Sequence, residues 1–542
     1  MKWKNFCLCF FSSILLILSF PKFNFSFLVW VALVPLFFAI KNSSLRNAFI
    51  FGFLTGLFAY LGLLYWIVTT ITAAGESLIL GVLCLLLLSA CLALYFGLFS
   101  LAFVFLSNLS PPPAKTWRAG ITYHLSPAFT WVSLEYLRSH LFTGFPWALL
   151  GYSQWNFLPI IQISELTGVY GVSFLVALVN ITIFQVLTIK NLKLKIKNLI
   201  LTTIIFSVCL AYGLFRLSTY LPAEASAKAG QPINLSTPFK VVLLQGNIDQ
   251  YKKWSKEYEE EIMNTYENLI HQTISPFHHF TNPPIHQSTI SPSLIIWPES
   301  AIPGYLLYEP HLFQWVRNLI IQTACYHLIG SVHLRENKLY NSVFLFSPQG
   351  RLLAEYDKIH LVPFGEAIPL KGSLSRYIKV LNELGDFSSS NKFTVFTIHL
   401  STYPPIHSVT FATNICFEAI FPHLVCKFVK NGAEIIVNLT NDAWFLKTSA
   451  PYQHFTMNVF RAIENRKYVV RCANTGISAF IDPYGRIIKQ TPIFTALTLS
   501  EEIYGLKKKT FYTRFGDLFA QVCLLIVIVT VVASFMRRAK KT

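Results

Sequence analysis

Charge is scarce in this chain. Of 542 residues only 13% are Asp, Glu, Lys or Arg, 53% are hydrophobic, and the mean hydropathy is +0.49. A soluble domain carries roughly 25% charged residues, so this shortage excludes a wholly soluble protein. Acidic groups are scarcer than basic ones, 26 against 44, which leaves a formal net charge of +18. Three further absences narrow the reading. No CxxC pair occurs among the ten cysteines, which removes the spacing that zinc ligation needs. No internal repeat stands out, which excludes a repeat architecture. No small-x-small site follows the first apolar block, and a second block begins within a few residues; both argue against a cleavable signal peptide despite Lys2 and Lys4 at the start.

What is present is a set of apolar blocks, each near the ~20 residues a helix needs to cross ~30 Å of hydrocarbon. They predict spans near Phe6–Phe20, Phe25–Ile40, Ala48–Thr69, Ser77–Leu106, Ala119–Leu137, Val169–Leu187 and Leu199–Phe215, with one more at Leu518–Phe535. The fifth carries His124, Pro127 and Glu135, and Glu135 lies one helical turn from Arg138, a spacing that allows a pair. The segment from Phe145-Pro146-Trp147 to Trp155 is apolar but interrupted, as in an interfacial or re-entrant piece.

Basic residues test the topology, because Lys and Arg of short loops stay in the cytoplasm. With the N-terminus inside, the inside loops hold Lys2, Lys4, Lys41, Arg46, Lys115, Arg118, Lys190, Lys193, Lys195 and Lys197, and the tail holds Arg537, Arg538, Lys540 and Lys541. The outside loops hold little more than Lys22 and Arg138. Both termini are therefore expected in the cytoplasm and the large polar segment outside it. Lys507, Lys508, Lys509 and Arg514 flank that segment, where the rule is weak, and either meet anionic headgroups or are solvated. The net charge is accounted for by topology and gives no ground for nucleic-acid binding.

The expected architecture is an α-helical membrane bundle of about eight spans plus an α/β domain outside the cytoplasm. Its parts are an N-terminal transmembrane domain over residues 1–222, a globular domain over 223–505, and a C-terminal helix with a basic tail over 506–542. Within the globular part, β-rich runs such as Phe239–Leu244, Leu294–Trp297, His327–Val332 and Glu434–Asn438 alternate with helical stretches at Lys256–Thr273, His311–Ala324 and Tyr452–Asn465. Ala223–Pro238 reads as a linker.

Three strand ends in this domain carry ionisable side chains: Glu299 in Trp297-Pro298-Glu299-Ser300, Lys358 in the run Asp357 to Glu366, and Cys416 in Asn414-Ile415-Cys416-Phe417-Glu418. Taken singly, each has a bland reading as a cap, a solvated lysine or a small core residue. Jointly they stand 59 and 58 residues apart in the order Glu, Lys, Cys.

That order, with its flanking motifs, resembles the carbon–nitrogen hydrolase, or nitrilase, superfamily. With membrane spans on both sides, the whole chain resembles the apolipoprotein N-acyltransferase family. The resemblance extends to Thr143-Gly144-Phe145-Pro146-Trp147, Gly151-Tyr152-Ser153-Gln154, Gln245-Gly246-Asn247, Asn441-Asp442-Ala443-Trp444-Phe445, Gln453-His454-Phe455 and Asn474-Thr475-Gly476-Ile477-Ser478. It implies a nitrilase-like αββα sandwich and a catalytic triad of Glu299, Lys358 and Cys416. The implied reaction takes an acyl chain from a membrane phospholipid onto the cysteine as a thioester. It then passes that chain to the α-amine of a diacylglyceryl-cysteine on an apolipoprotein, in a bacterial inner membrane with the catalytic domain on the periplasmic side. The chemistry fits the residue types: a free thiol with pKa about 8.5 needs a base, which Glu299 supplies, and the oxyanion needs a cation, which Lys358 supplies. No cofactor or metal is required.

Of the neighbouring residues, Glu366 supports Lys358 electrostatically or forms a structural ion pair. Glu418 shapes the same field or serves a helix N-terminus. By resemblance Trp254 is a substrate-site aromatic, with core packing as its alternative, and Phe417 stands where the family often has tyrosine. The Ser275–Ser293 segment, with His278, His279 and His286, reads as a solvated insertion rather than a metal site. Cys416 also requires cover from Cys426 and Cys472 if the compartment is oxidising. The rivals to this reading are a membrane-tethered amidase using water as acceptor, and a transporter with an outer domain.

Overall fold

The computed structural model describes residues 3–109, 117–219, 238–274, 293–367, 387–400 and 407–539. The linker and the histidine-bearing stretch at 275–292 lie outside them. The chain divides into two compact units: the first comprises Met1–Tyr220, Thr448–Glu464 and Thr510–Thr542, the second Leu221–Lys447 and Asn465–Lys509. The boundaries expected at 222 and 505 place the helix near residue 455 in the globular part; by its contacts it groups with the first unit instead.

The first unit is helical. Among the described residues, four of its helices are long and apolar enough to cross a membrane: Leu45–Leu63, Leu78–Ser107, Val169–Thr188 and Leu192–Ser218. Three shorter apolar helices are Trp3–Ser19, Ser26–Ile40 and Leu518–Ser534. The block expected as one span over Phe25–Ile40 is a 3₁₀ turn, Ser26–Trp30, followed by a helix Val34–Ile40 with Pro35 in its first turn, where a missing N–H costs nothing. The block expected over Ala48–Thr69 breaks between helices Leu45–Leu63 and Trp66–Ala73. Gly52 and Gly56 let the first of these lie against Leu78–Leu109, since a Cβ on Gly52 would stand 2.3 Å from the Ser100 hydroxyl and one on Gly56 2.9 Å from Phe96.

Glu135 and Arg138 find separate partners. Glu135 Oε1 accepts from Trp131 Nε1 at 2.9 Å and from the Leu150 N–H at 2.7 Å, while Arg138 donates to the Tyr60 hydroxyl and lies over its ring. The helix Ala450–Asn465 is tied in through Gln453, which accepts from Trp147 Nε1 at 2.8 Å and donates to the carbonyls of Pro21 and Leu63.

The second unit is built on two six-stranded sheets. The first contains β1 (Phe239–Gln245), β2 (Leu294–Ile296), β3 (Tyr326–Arg335), β4 (Lys338–Phe346), β5 (Leu352–Asp357) and β12 (Leu497–Ile503), in the order β12-β1-β2-β3-β4-β5. The second contains β6 (Phe396–Leu400), β7 (His407–Ile415), β8 (Ile435–Thr440), β9 (Tyr468–Ala473), β10 (Ala479–Ile481) and β11 (Ile487–Gln490), in the order β11-β10-β9-β8-β7-β6. Each sheet has a parallel centre, β1-β2-β3 and β7-β8-β9, with antiparallel flanks.

Parallel strands are buried on both faces, which is why β2 and β8 are apolar without alternation. Val242, Leu244, Ile295 and Trp297 pack against Ile262, Tyr266, Leu312, Val316 and Ile320 of the helices Glu259–Ile274 and Pro310–Thr323. Their neighbours Val241, Leu294 and Ile296 face Phe411, Ile435, Val437 and Val470 of the other sheet. Between the sheets the Cys472 thiol lies 3.3 Å from the Ile296 carbonyl.

Candidate active site

Glu299, Lys358 and Cys416 all sit just past the ends of strands: three residues beyond β2 for Glu299, and the first residues after β5 and β7 for the others. Strand C-terminal ends are where open parallel sheets put their ligands. Left-handed backbone recurs beside these residues: Cys416 itself is at φ 49°, Ser300 beside Glu299 at φ 46°, and Phe364 two residues before Glu366 at φ 63°. Each such residue costs about 1–3 kcal/mol and persists only where its surroundings hold it.

Glu299 is buried and fully engaged. Its Oε1 accepts from Asn341 Nδ2 at 2.8 Å and stands 3.6 Å from Lys358 Nζ; its Oε2 accepts from the N–H of Asn441, past the end of β8, at 2.7 Å. Asn341, in the middle of β4, uses the same amide nitrogen to reach Glu366 at 2.8 Å and so couples the two carboxylates. Glu366 in turn contacts the Lys358 ammonium at 2.9 and 2.8 Å through its two oxygens, and accepts from the Val362 N–H. Burial alone would make the Lys358 ammonium easier to deprotonate, but Glu366, then Glu299, outweigh it and hold its pKa above the ordinary lysine value. This cation stays charged at any physiological pH.

Cys416 opens a 3₁₀ turn, Cys416–Ile420. Burial, and after it the charge of Glu299, push its thiol above the usual range, with Lys358 pulling the other way. The resting sulfur is therefore a thiol, and its proton has a carboxylate acceptor within its electrostatic reach. Glu418, two residues on, is fully buried and accepts four N–H or O–H donors: Ile415 N at 2.7 Å, Ile359 N at 2.7 Å, His360 N at 3.0 Å, and the Tyr356 hydroxyl at 2.8 Å. It binds the loop that carries Lys358 to the turn that carries Cys416. Beneath lies a second buried set, in which Arg471 donates to Asp442 Oδ2 at 2.7 Å and Asn438 donates to Asn414 Oδ1 at 2.7 Å.

Trp254 is 47% exposed, with its ring near that of Tyr305, so it is not a core residue. Phe417 is buried and packs on Phe421. His360 is held neutral, its pKa drawn down to about 4 by burial and then by Lys358. Asn341 and Lys253 escape a reading of the sequence, and Asn441 stands out there only as part of a motif, with no role. Asn341 leaves one faint signal, a polar residue followed by the buried run to Phe346 of β4. Lys253 leaves none, because nothing in a short polar loop distinguishes a buried lysine from a solvated one.

Residues 12–182 match the apolipoprotein N-acyltransferase N-terminal domain, and residues 240–504 match the carbon-nitrogen hydrolase domain. The apolipoprotein N-acyltransferase of Geobacter metallireducens is 37% identical over 99% of this chain and 96% of its own length. That of Pasteurella multocida is 30% identical over 94% of this chain and 91% of its own. Among solved structures, Nit3 of Saccharomyces cerevisiae, a member of branch 10 of the nitrilase superfamily, matches 50% of this chain and 91% of its own at 19% identity, with a TM-score of 0.36. With both domains matched and relatives similar from end to end, the chain belongs to the apolipoprotein N-acyltransferase family.

Proposed function

We propose that this protein transfers an acyl chain from a membrane phospholipid to the α-amine of an N-terminal diacylglyceryl-cysteine on an apolipoprotein, through a thioester on Cys416. Besides family membership, one observation carries the reading: Lys358 Nζ stands 3.6 Å from Glu299 Oε1, and Glu418 ties the loop of that lysine to the turn that Cys416 opens.

In the first half, Cys416 Sγ attacks the ester carbonyl carbon while Glu299 takes the thiol proton. Lys358 opposes the charge on the tetrahedral oxyanion. Collapse breaks the ester C–O bond, and the proton held by Glu299 goes to the lysophospholipid alkoxide. In the second half the free amine attacks the thioester carbonyl, Glu299 removes the amine proton, and the C–S bond breaks. The thiolate then regains the proton from Glu299. Because the ground-state sulfur is a thiol beside a carboxylate, proton removal is tied to attack, and a general base contributes about 10²–10⁴-fold. Trp254, exposed at the end of its loop, is suited to contact a lipid-bearing substrate.

Both substrates are lipid-anchored, which gives the four long apolar helices a purpose. The basic inner loops support a multi-pass protein of a bacterial inner membrane with the catalytic domain on the periplasmic side and both termini cytoplasmic. Incubating the purified full-length protein with labelled phospholipid should add one acyl mass to the peptide carrying Cys416, removable by hydroxylamine and absent in Cys416→Ala. A diacylglyceryl-cysteine peptide should then take the label as an amide. Release of free fatty acid with no N-acylated peptide would instead make the protein a hydrolase.

A further inference from the structure

One buried charge near the base has no place in the chemistry above. Lys253 is 0% exposed, although the residues on both sides of it, Lys252 and Trp254, reach outward, Lys252 to Glu261 at 3.4 Å. Its ammonium donates to the main-chain carbonyl of Glu299 at 3.1 Å and feels the Glu299 carboxylate. A lysine is almost never fully buried unless it is paired.

The place is one where the main chain needs holding. Ser300, next after Glu299, is in the left-handed region, and the N–H of Ala301 is anchored to the Gly330 carbonyl at 2.7 Å. The carbonyl just before Ser300, that of Glu299, is the one Lys253 takes. Burial draws the Lys253 pKa down to about 8, with the Glu299 carboxylate opposing that fall. Lys358, Glu366, Glu418, Asp442, His360 and Cys416 are the other titratable groups that interact at this end of the sheets. A loop lysine whose only purpose was solubility would point outward, as Lys252 does.

We propose that Lys253 is a positioning residue for the acyl transfer: its buried ammonium clamps the Trp254 loop to the main-chain carbonyl of Glu299, just before the left-handed Ser300, and so fixes the turn that carries the base. The inference rests on Glu299 being the base. It makes Trp254 and Glu299 parts of one clamped unit, so that the aromatic side chain presented to substrate keeps its register with the proton acceptor.

The test compares the full-length wild type with Lys253→Met, Lys253→Gln and Lys253→Arg in two assays: phospholipid-dependent acylation of Cys416, and alkylation of Cys416 by iodoacetamide read on its peptide by mass spectrometry. Both rates, taken per folded molecule, should fall about tenfold in the Met and Gln variants with the KM for phospholipid little changed, and should recover in the Arg variant, which can still donate to the Glu299 carbonyl. A merely structural lysine would lower yield or melting temperature and leave both rates per folded molecule alone. Wild-type rates in both neutral variants would overturn the inference; if one neutral variant fails to fold, the other reads the same quantity. The alkylation assay uses no lipid, so it tests Lys253 even if the acyl-transfer reading falls.

Discussion

The carboxylate of Glu418 takes the main-chain N–H of Ile359 at 2.7 Å across 59 residues of sequence. Ile359 follows Lys358, and Glu418 belongs to the turn that Cys416 opens, so this bond sets the distance between the cation and the nucleophile. The same carboxylate accepts from Ile415 and so grips the turn immediately before the left-handed Cys416. Burial raises the pKa of Glu418, and the N–H donors of Ile415 and His360 oppose that rise. Its role is geometric, ahead of any direct part in proton transfer.

Glu418→Gln tests this. A glutamine keeps the shape but turns an NH₂ group toward donors that need an acceptor, leaving at least one buried group unsatisfied at about 1–3 kcal/mol. The expected result is a fall in the rate of Cys416 acylation of about 10- to 10²-fold with little change in KM. An unchanged acylation rate would remove Glu418 from the positioning scheme.

Gly330 gives a second test, because β3 passes under the turn that carries the base. A Cβ at this position would stand 2.3 Å from the Pro298 carbonyl oxygen and 2.8 Å from the Glu299 Cα, both main-chain atoms that cannot swing aside. Gly330→Ala should therefore displace Glu299 and cost about 10²-fold in kcat, as an ångström of misplacement does, while the protein still folds. Single-turnover acylation compared with the melting temperature separates the two effects.

A third expectation concerns acid. His327 is fully buried, accepts from Trp297 Nε1 at 3.0 Å through Nδ1, and lies 2.8 Å from the Thr323 hydroxyl through Nε2, so the neutral ring with its proton on Nε2 satisfies both contacts. Burial lowers its pKa from 6.5 to about 3. The folded-state value is depressed, so the unfolded chain binds the proton first. The stability this ring contributes is complete above pH 6.5 and is lost at about 1.4 kcal/mol per pH unit as the pH falls toward 3. Melting temperatures measured down this range should drop, and His327→Gln should flatten the slope by about one proton. Because Trp297 precedes Pro298 and Glu299, activity should fail along with stability.

Much of this was written in local sequence. β-rich runs marked β1, β2, β3 and β8 as strands, and the helices Lys256–Thr273 and His311–Ala324 appear within a few residues of their expected limits, as Glu259–Ile274 and Pro310–Thr323. Glu299, Lys358 and Cys416 stood out because each is an ionisable side chain just past a strand, at nearly equal separation. Less of the membrane part was legible. Mean hydropathy sees an apolar block over Phe25–Ile40 or Ala48–Thr69 but not the points where a new helix starts at Val34 or where the chain turns at Leu64 and Tyr65.

The sequence by itself determined which elements form and which side chains carry reactive groups, since periodicity and residue type are local properties. Only the tertiary structure decided which polar groups serve those reactive ones. Asn341 joins Glu299 to Glu366 because adjacent loops bring both carboxylates over the middle of β4; Glu418 faces the Lys358 loop across the two sheets; and Lys253 turns inward where Lys252 turns out. Each depends on contacts between residues far apart in the chain, which no local pattern encodes.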